Sequence, residues 1–180
     1  MTIEELIKIL LSDKPSEELI NNEEELFNLI PELKKCKGFN QNNPWHPYDV
    51  YNHILHVIDN TPNNIILRLC ALFHDIGKPE VYKEDENGVG HFYNHWTISK
   101  EIFDSFSEKY NIENRKLISK LILYHDKSIN EEDIKLFNKE EIELLFEFKK
   151  ADLLAQSKEF HYILDDLENQ KIKILKEWSD

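Results

Sequence analysis

Glycine and proline are scarce in this chain, four and six among 180 residues. So few turn formers exclude a turn-rich all-β architecture, and no Gly-rich dinucleotide loop is present. Cysteine is scarcer still. Cys36 and Cys70 stand far apart without partners at metal-ligand spacing, so neither a disulfide framework nor a cysteine zinc site is implied. Cys70 lies in an apolar run and reads as a small core residue. Positive charge is short as well, 22 Lys and Arg against 35 Asp and Glu, a formal net charge of −13. A surface that grips long nucleic acid or an anionic membrane needs the opposite sign, so any anionic substrate has to be held locally. No apolar run approaches the roughly 18 residues of a membrane span, and Met1-Thr2-Ile3-Glu4-Glu5 lacks the basic start of a secretory leader. A cytoplasmic protein is expected.

What is present is helical periodicity, and the expected fold is an all-α helical bundle. The length suits one domain, residues 1–180, with a core of its own. Ile3, Leu6, Ile7, Leu10 and Leu11 mark a first amphipathic helix. Asn22 and Glu25 form a variant capping box ahead of Leu26, Phe27, Leu29 and Ile30. Residues 37–47 read as irregular chain, and Pro47 opens a helix whose stripe of Val50, Ile54, Val57 and Ile58 contains His53. The next helix, Asn63 to Phe73, is apolar nearly all round, as a central buried helix would be. It stops at His74-Asp75-Ile76-Gly77-Lys78-Pro79, where Gly77 lets the chain turn and aim two consecutive side chains at one point. Glu84 to Gly90 predicts a short hairpin or a plain loop. From Asn94 to Tyr110 a helix face carries Ile98, Ile102, Phe103 and Phe106, with His95 one turn earlier. Leu117, Ile118, Leu121 and Ile122 make another face that ends in His125. Leu145, Phe148 and Asp152 share a third, so a carboxylate looks inward. A final helix, about Phe160 to Trp178, has Ile163, Leu164, Leu167, Ile174 and Trp178 on one stripe.

Histidine is the residue in excess. There are eight, seven of them between His46 and His125. His53, His74, His95 and His125 fall on or at the ends of apolar helix faces, together with Asp75 and Asp152. A lone buried imidazole is ordinarily a hydrogen-bonded core residue, but several with carboxylates would be costly without a compensating charge. A divalent cation is the economical compensator, since imidazole nitrogen and carboxylate oxygen are its natural ligands. The remaining candidates take structural readings. His46 is a loop or packing residue, His56 a surface or supporting group, and His161 solvated. His91 is the alternative to His95, which its helical phase favours. Asp126 is a cap or surface group, and Glu23 to Glu25 and Glu131 to Asp133 are helix-start charges.

His53, His74-Asp75, His95, His125 and Asp152, in that order, resemble the H…HD…H…H…D pattern of the HD-domain metal-dependent phosphohydrolases. Residues 41–53, Gln-Asn-Asn-Pro-Trp-His-Pro-Tyr-Asp-Val-Tyr-Asn-His, and 90–95, Gly-His-Phe-Tyr-Asn-His, are similar to stretches of the HD domain in bacterial CCA-adding tRNA nucleotidyltransferases. The resemblance spans about Cys36 to Asp152 and implies an HD core at about 36–155 between flanking helices, here standing alone without the nucleotidyltransferase domain. It implies that His53, His74, Asp75 and Asp152 hold a divalent metal, and that His95 and His125 hold a second or face the substrate phosphate. It further implies that Asp75, His74 and Lys78 carry the catalysis, Lys78 pairing with a phosphate oxygen.

The expected activity is therefore a phosphomonoesterase or phosphodiesterase in which hydroxide, generated at the metal, attacks phosphorus. The expected cofactor is one or two ions of Mn, Mg, Fe, Ni, Co or Zn. The expected partner is a small phosphorylated substrate such as a nucleotide or cyclic phosphate, with neither a membrane nor long nucleic acid. Two alternatives stand beside it: a non-catalytic module that binds metal or nucleotide, and a binuclear iron oxygenase.

Overall fold

A computed structural model describes residues 1–176. The chain begins with four short helices, α1 (Ile3–Leu10), α2 (Pro15–Asn21), α3 (Glu23–Leu29) and α4 (Pro31–Cys36). It continues through α5 (Val50–Asn60), α6 (Ile65–Phe73) and the single turn α7 (Lys78–Val81). A two-residue hairpin, β1 (Lys83–Glu84) against β2 (Gly90–His91), pairs Lys83 with His91 in antiparallel register. Then follow α8 (His95–Lys109), α9 (Arg115–Tyr124), α10 (Glu131–Ile134), α11 (Lys139–Leu154) and α12 (Ile163–Lys176). The fold is all-α, as the scarcity of turn formers requires.

Helix α6 is the axis of the bundle, lying against α1, α5, α8, α9 and α11. Its residues 67–73 are all buried, which accounts for an apolar sequence with no polar face. The exception is Arg68, whose guanidinium donates to the carbonyl of Leu10 and, at 2.9 Å, to that of Ser12. It thereby satisfies carbonyls that the end of α1 leaves without intrahelical partners. Phe73, Phe103 and Phe148 are fully buried around this axis, with Leu, Ile and Val from α1 to α5 closing its far side.

Several helix boundaries differ from expectation, each for a local reason. Asn22 makes no capping hydrogen bond to α3. Its amide donates instead to the Glu18 carbonyl at 2.8 Å, closing α2. Pro47 does not open α5, because Asp49 is the N-cap and accepts from the Asn52 amide at 2.7 Å. At the other end Phe160 closes a 3-10 turn, and α12 begins at Ile163. Ile163, Leu164 and Leu167 are half-buried and Ile174 is buried along the α12 stripe, while Trp178 lies outside the described residues. Among the described residues no helix is long and apolar enough to cross a membrane.

Candidate metal centre

Six side chains from five helices and one turn meet at one end of α6. His53 comes from the middle of α5, His74 from the C-cap of α6, and Asp75 from the turn that follows. His95 is the first residue of α8, His125 the C-cap of α9, and Asp152 lies in the last turn of α11. Three of the histidines share one local device. The Nδ1 of His74 lies 2.8 Å from the Ala71 carbonyl, that of His95 2.8 Å from Phe92, and that of His125 2.7 Å from Ile122. A carbonyl can only accept, so each Nδ1 carries a proton and each Nε2 points inward, left to take a metal or a second proton.

Those nitrogens converge, joined by Nε2 of His53. His95 Nε2 is 3.2 Å from His125 Nε2, and His74 Nε2 is 3.3 Å from His53 Nε2. Asp75 sits between the two pairs. Its Oδ2 is 3.3 Å from His74 and 3.4 Å from His53, while Oδ1 is 3.1 Å from His95 and 3.6 Å from His125. Asp152 Oδ1 completes the His53 side at 2.9 Å. Facing nitrogen lone pairs repel unless a proton or cation lies between them. The spacing suits ligands that each stand roughly 2.0–2.1 Å from a shared ion. Two donor groups satisfy this geometry, His53 with His74 and Asp152, and His74 with Asp75 and His125, the atoms of each lying within 4.8 Å of one another. The residues present thus fit a divalent metal, and Asp75 is shared between the two sides rather than confined to the His53 side.

Burial and charge set the protonation of the cluster. Burial alone would raise the Asp75 carboxyl, but the His74 and Lys78 charges outweigh it and hold Asp75 well below the ordinary value. Burial likewise works to raise Asp152, and the hydrogen bond from His53 reverses it. Burial pushes His95 down despite Asp75. His125 suffers the same burial, yet its bond to Asp75 carries it above its ordinary value.

Lys78 lies beside the cluster, buried, with Nζ 2.7 Å from Asp75 Oδ2 and 5.1 Å from the Phe92 ring centroid. Gln41 holds it there. This fully buried amide accepts from Lys78 Nζ at 2.8 Å and donates to the Tyr48 carbonyl at 3.1 Å. Gly77 explains how the doublet comes so near α8. Its φ is not in the left-handed region, so turning is not its contribution. An added Cβ would stand 2.7 Å from the Ser99 amide and 2.8 Å from the His95 carbonyl, so only glycine permits this approach.

A cleft of about 260 Å³ opens over the cluster, with Asn43, Trp45, His46, Asp126 and Gln156 in its walls. His46 is therefore not a mere packing residue. Its ring stands edge-on to His53, with centroids 5.3 Å apart, and burial followed by the Lys78 charge pushes it down to about 2. Asp126 is exposed as expected, but it faces the cleft. The loop that carries His46 is strapped from both sides: Gly90 donates to the Asn42 carbonyl at 2.8 Å, and Ser157 donates to that of Trp45 at 2.9 Å. Trp45 also stacks on Phe160 at 3.6 Å. The remaining histidines stay outside. His56 is exposed and stacks on Tyr48, and His91 pairs with Asp85 at 3.0 Å. His161 is not solvated: it is half-buried, its Nε2 3.3 Å from the Gln156 carbonyl. Sequence reasoning overlooked Gln41, and also Lys149, whose ammonium donates to the carbonyls of His125 at 2.6 Å and Lys127 at 2.9 Å. Burial depresses that ammonium to about 8 against the pull of Asp126 and Asp152. No sequence signal marks either residue beyond Gln41's place in the stretch that leads to His53.

A protein of Clostridium beijerinckii described as uncharacterized is 41% identical over 63 residues, 35% of this chain. The match covers 37% of that relative's length. No solved structure matches the chain. The family model described as the HD domain matches residues 45–169, more than half of the chain and every histidine and aspartate of the cluster. On that match, and on a cluster in HD order, the chain belongs to the HD-domain family.

Proposed function

We propose that the chain is a metal-dependent phosphohydrolase, a phosphomonoesterase or phosphodiesterase of small nucleotides or cyclic phosphates. The observation that carries the reading is the convergence of four imidazole Nε2 atoms and two carboxylates beside one buried lysine, at the floor of an open cleft. His53, His74, Asp75 and Asp152 would hold one ion, and His95 and His125, across Asp75, a second ion or the substrate phosphate. A divalent ion there supplies Lewis acidity, polarising a phosphoryl oxygen and bringing the pKa of water towards neutrality. Asp75 orients the attacking water through Oδ1. Water adds to phosphorus, the ester P–O bond breaks, and the leaving oxygen takes up a proton. Lys78 with His95 and His125 offsets the charge that develops on the phosphate oxygens, which is the preorganised electrostatic part of the catalysis.

Within the family, the segments at 41–53 and 90–95 support a kinship with the HD domains of CCA-adding enzymes. The net charge of −13 supports small substrates in preference to tRNA or DNA, and two thiols without a disulfide suit a cytoplasmic setting. The test is hydrolysis of nucleotide, cyclic-phosphate and p-nitrophenyl phosphate panels with Mn²⁺, Mg²⁺, Co²⁺, Ni²⁺, Fe²⁺ or Zn²⁺. Wild type is expected to turn over at least one, and His74→Ala or Asp75→Ala to abolish it while the circular dichroism stays helical. Full activity in either variant after metal is stripped overturns the proposal. Metal binding without any hydrolysis points to a binding module instead.

A further inference from the structure

The cleft does not end at the histidines. Beside the cavity over the cluster lies a second of about 190 Å³, open towards Tyr93 and Trp96. The two share Asn43, His46, Lys78, His95 and Asp126 as walls, so a ligand passes from one to the other without leaving the cleft. Each is smaller than the roughly 300–1,000 Å³ of an ordinary small-molecule site, so a substrate larger than its reacting phosphate has to use both.

The walls of the second lobe are aromatic, with little charge left free. Tyr93 is 67% exposed, and its ring lies parallel to that of His91 with 4° between the planes. Trp96 is half-buried in the same wall. The lobe's lysine, Lys78, gives two of its three N–H groups to Asp75 and Gln41, and the third is the one the reacting phosphate takes. Lys127 lies against the faces of Trp96 and Tyr124, 5.7 and 5.2 Å from their centroids, and is not in the lining. His91 is tied to Asp85. Asp126 is the lobe's carboxylate, exposed and, among the described residues, with neither an ion pair nor a side-chain hydrogen bond.

We infer that this second lobe receives an uncharged, planar leaving group, the nucleoside of a nucleoside monophosphate, and that Asp126 discriminates against di- and triphosphates. The inference rests on the phosphohydrolase reading and narrows its substrate. With the terminal phosphate over the cluster, the next phosphate of a diphosphate would stand against the Asp126 carboxylate with no free cation beside it. A nucleoside placed there meets ring faces instead, and its sugar or base N–H and O–H groups find an acceptor in Asp126. Base stacking on aromatic side chains tolerates any base, so the lobe selects for charge and planarity more than for sequence.

The experiment compares AMP, ADP and ATP at fixed free Mn²⁺, by kcat/KM and, independently of turnover, by calorimetric Kd. Wild type is expected to prefer AMP to ADP by about tenfold or more, the effect of one unrelieved like-charge contact in a partly buried site. Asp126→Asn shrinks that ratio several-fold in both measurements, whereas Glu24→Gln, a charge removed from a remote exposed site, leaves it unchanged. Trp96→Leu and Tyr93→Ala raise the KM for AMP by about tenfold with a much smaller effect on p-nitrophenyl phosphate. Equal use of AMP and ATP by wild type, or an AMP to ADP ratio that Asp126→Asn does not move, overturns the inference. Neither result touches the phosphohydrolase reading, which stands or falls on hydrolysis of any ester and its loss in His74→Ala. If no ester is hydrolysed but the Kd ratio behaves as described, the charge discrimination survives and the catalytic reading does not.

Discussion

Gln41 shows how much one satisfied buried polar side chain carries. Its two hydrogen bonds tie Lys78 on one side and the Tyr48 backbone on the other, with no solvent contact. Replacing it with leucine keeps the volume but leaves the buried ammonium one acceptor short and frees it to collapse onto Asp75 Oδ2. Hydrogen bonds to charged groups are worth about 1.5–3 kcal/mol, so Gln41→Leu is expected to lower kcat/KM by about tenfold or more. Steady-state kinetics on any hydrolysed ester reads it. An unchanged kcat/KM would remove Gln41 from the account of how Lys78 is positioned. His46 carries a related lesson. As one polar residue in a polar loop it offered no signal, because its place over His53 depends on backbone bonds from Gly90 and Ser157, which lie 40 or more residues away in sequence.

Helix faces are where the sequence was most readable. Apolar spacing placed His53, His95, His125 and Asp152 on inward faces, and the structure puts all four there, because burying a 3.6-residue stripe leaves a helix little rotational choice. Helix ends were less readable. Asn22 and Glu25 satisfy the pattern of a capping box, yet the Asn22 amide turns back to Glu18, and Pro47 stands two residues ahead of the true cap, Asp49. A cap is decided by one or two hydrogen bonds, so a competing partner overturns it easily. Gly77 was found for the wrong reason. The sequence suggested a turn, whereas the structure needs a missing Cβ where the HD turn touches the first turn of α8. Gly77→Ala must therefore push α7 and α8 apart against backbone atoms that cannot rotate away. The expected cost is about 1–3 kcal/mol, read as a lower urea midpoint at unchanged slope. His95 should move with α8, so metal affinity falls in the same variant. A midpoint equal to wild type would mean the contact relaxes without strain.

For the whole molecule, the cluster is a place where the bundle without metal is held in conflict, since facing lone pairs and two carboxylates share one buried end of α6. An ion that binds only the folded chain resolves the conflict and adds stability by mass action, about 2.7 kcal/mol at a concentration of 100 times Kd. For a chain of this length that corresponds to a Tm higher by about 5–10 °C than in chelator. The gain must depend on pH in a known direction. Ligation needs unprotonated imidazole, so the loaded protein loses its advantage as pH falls below the ordinary histidine range. In the metal-free protein His125 moves the other way, against His46 and His95, whose depressed values make acid destabilising. His125 has its folded pKa raised above 6.5, chiefly by Asp75 acting against burial, so its contribution is fully present below 6.5 and is lost as pH rises through the folded value. A proton on His125 thus partly replaces the cation at the same carboxylate. Loss of ligation to protonated imidazole, helped by the proton on His125, closes the gap, and the difference in Tm between Mn²⁺ and chelator is expected to be large at pH 8 and to shrink towards zero near pH 5. Paired thermal melts across that range measure it. A gap that stays constant with pH would show that the ion binds at carboxylates away from the imidazoles, and the His53, His74, His95 and His125 cluster would then have to be explained without metal.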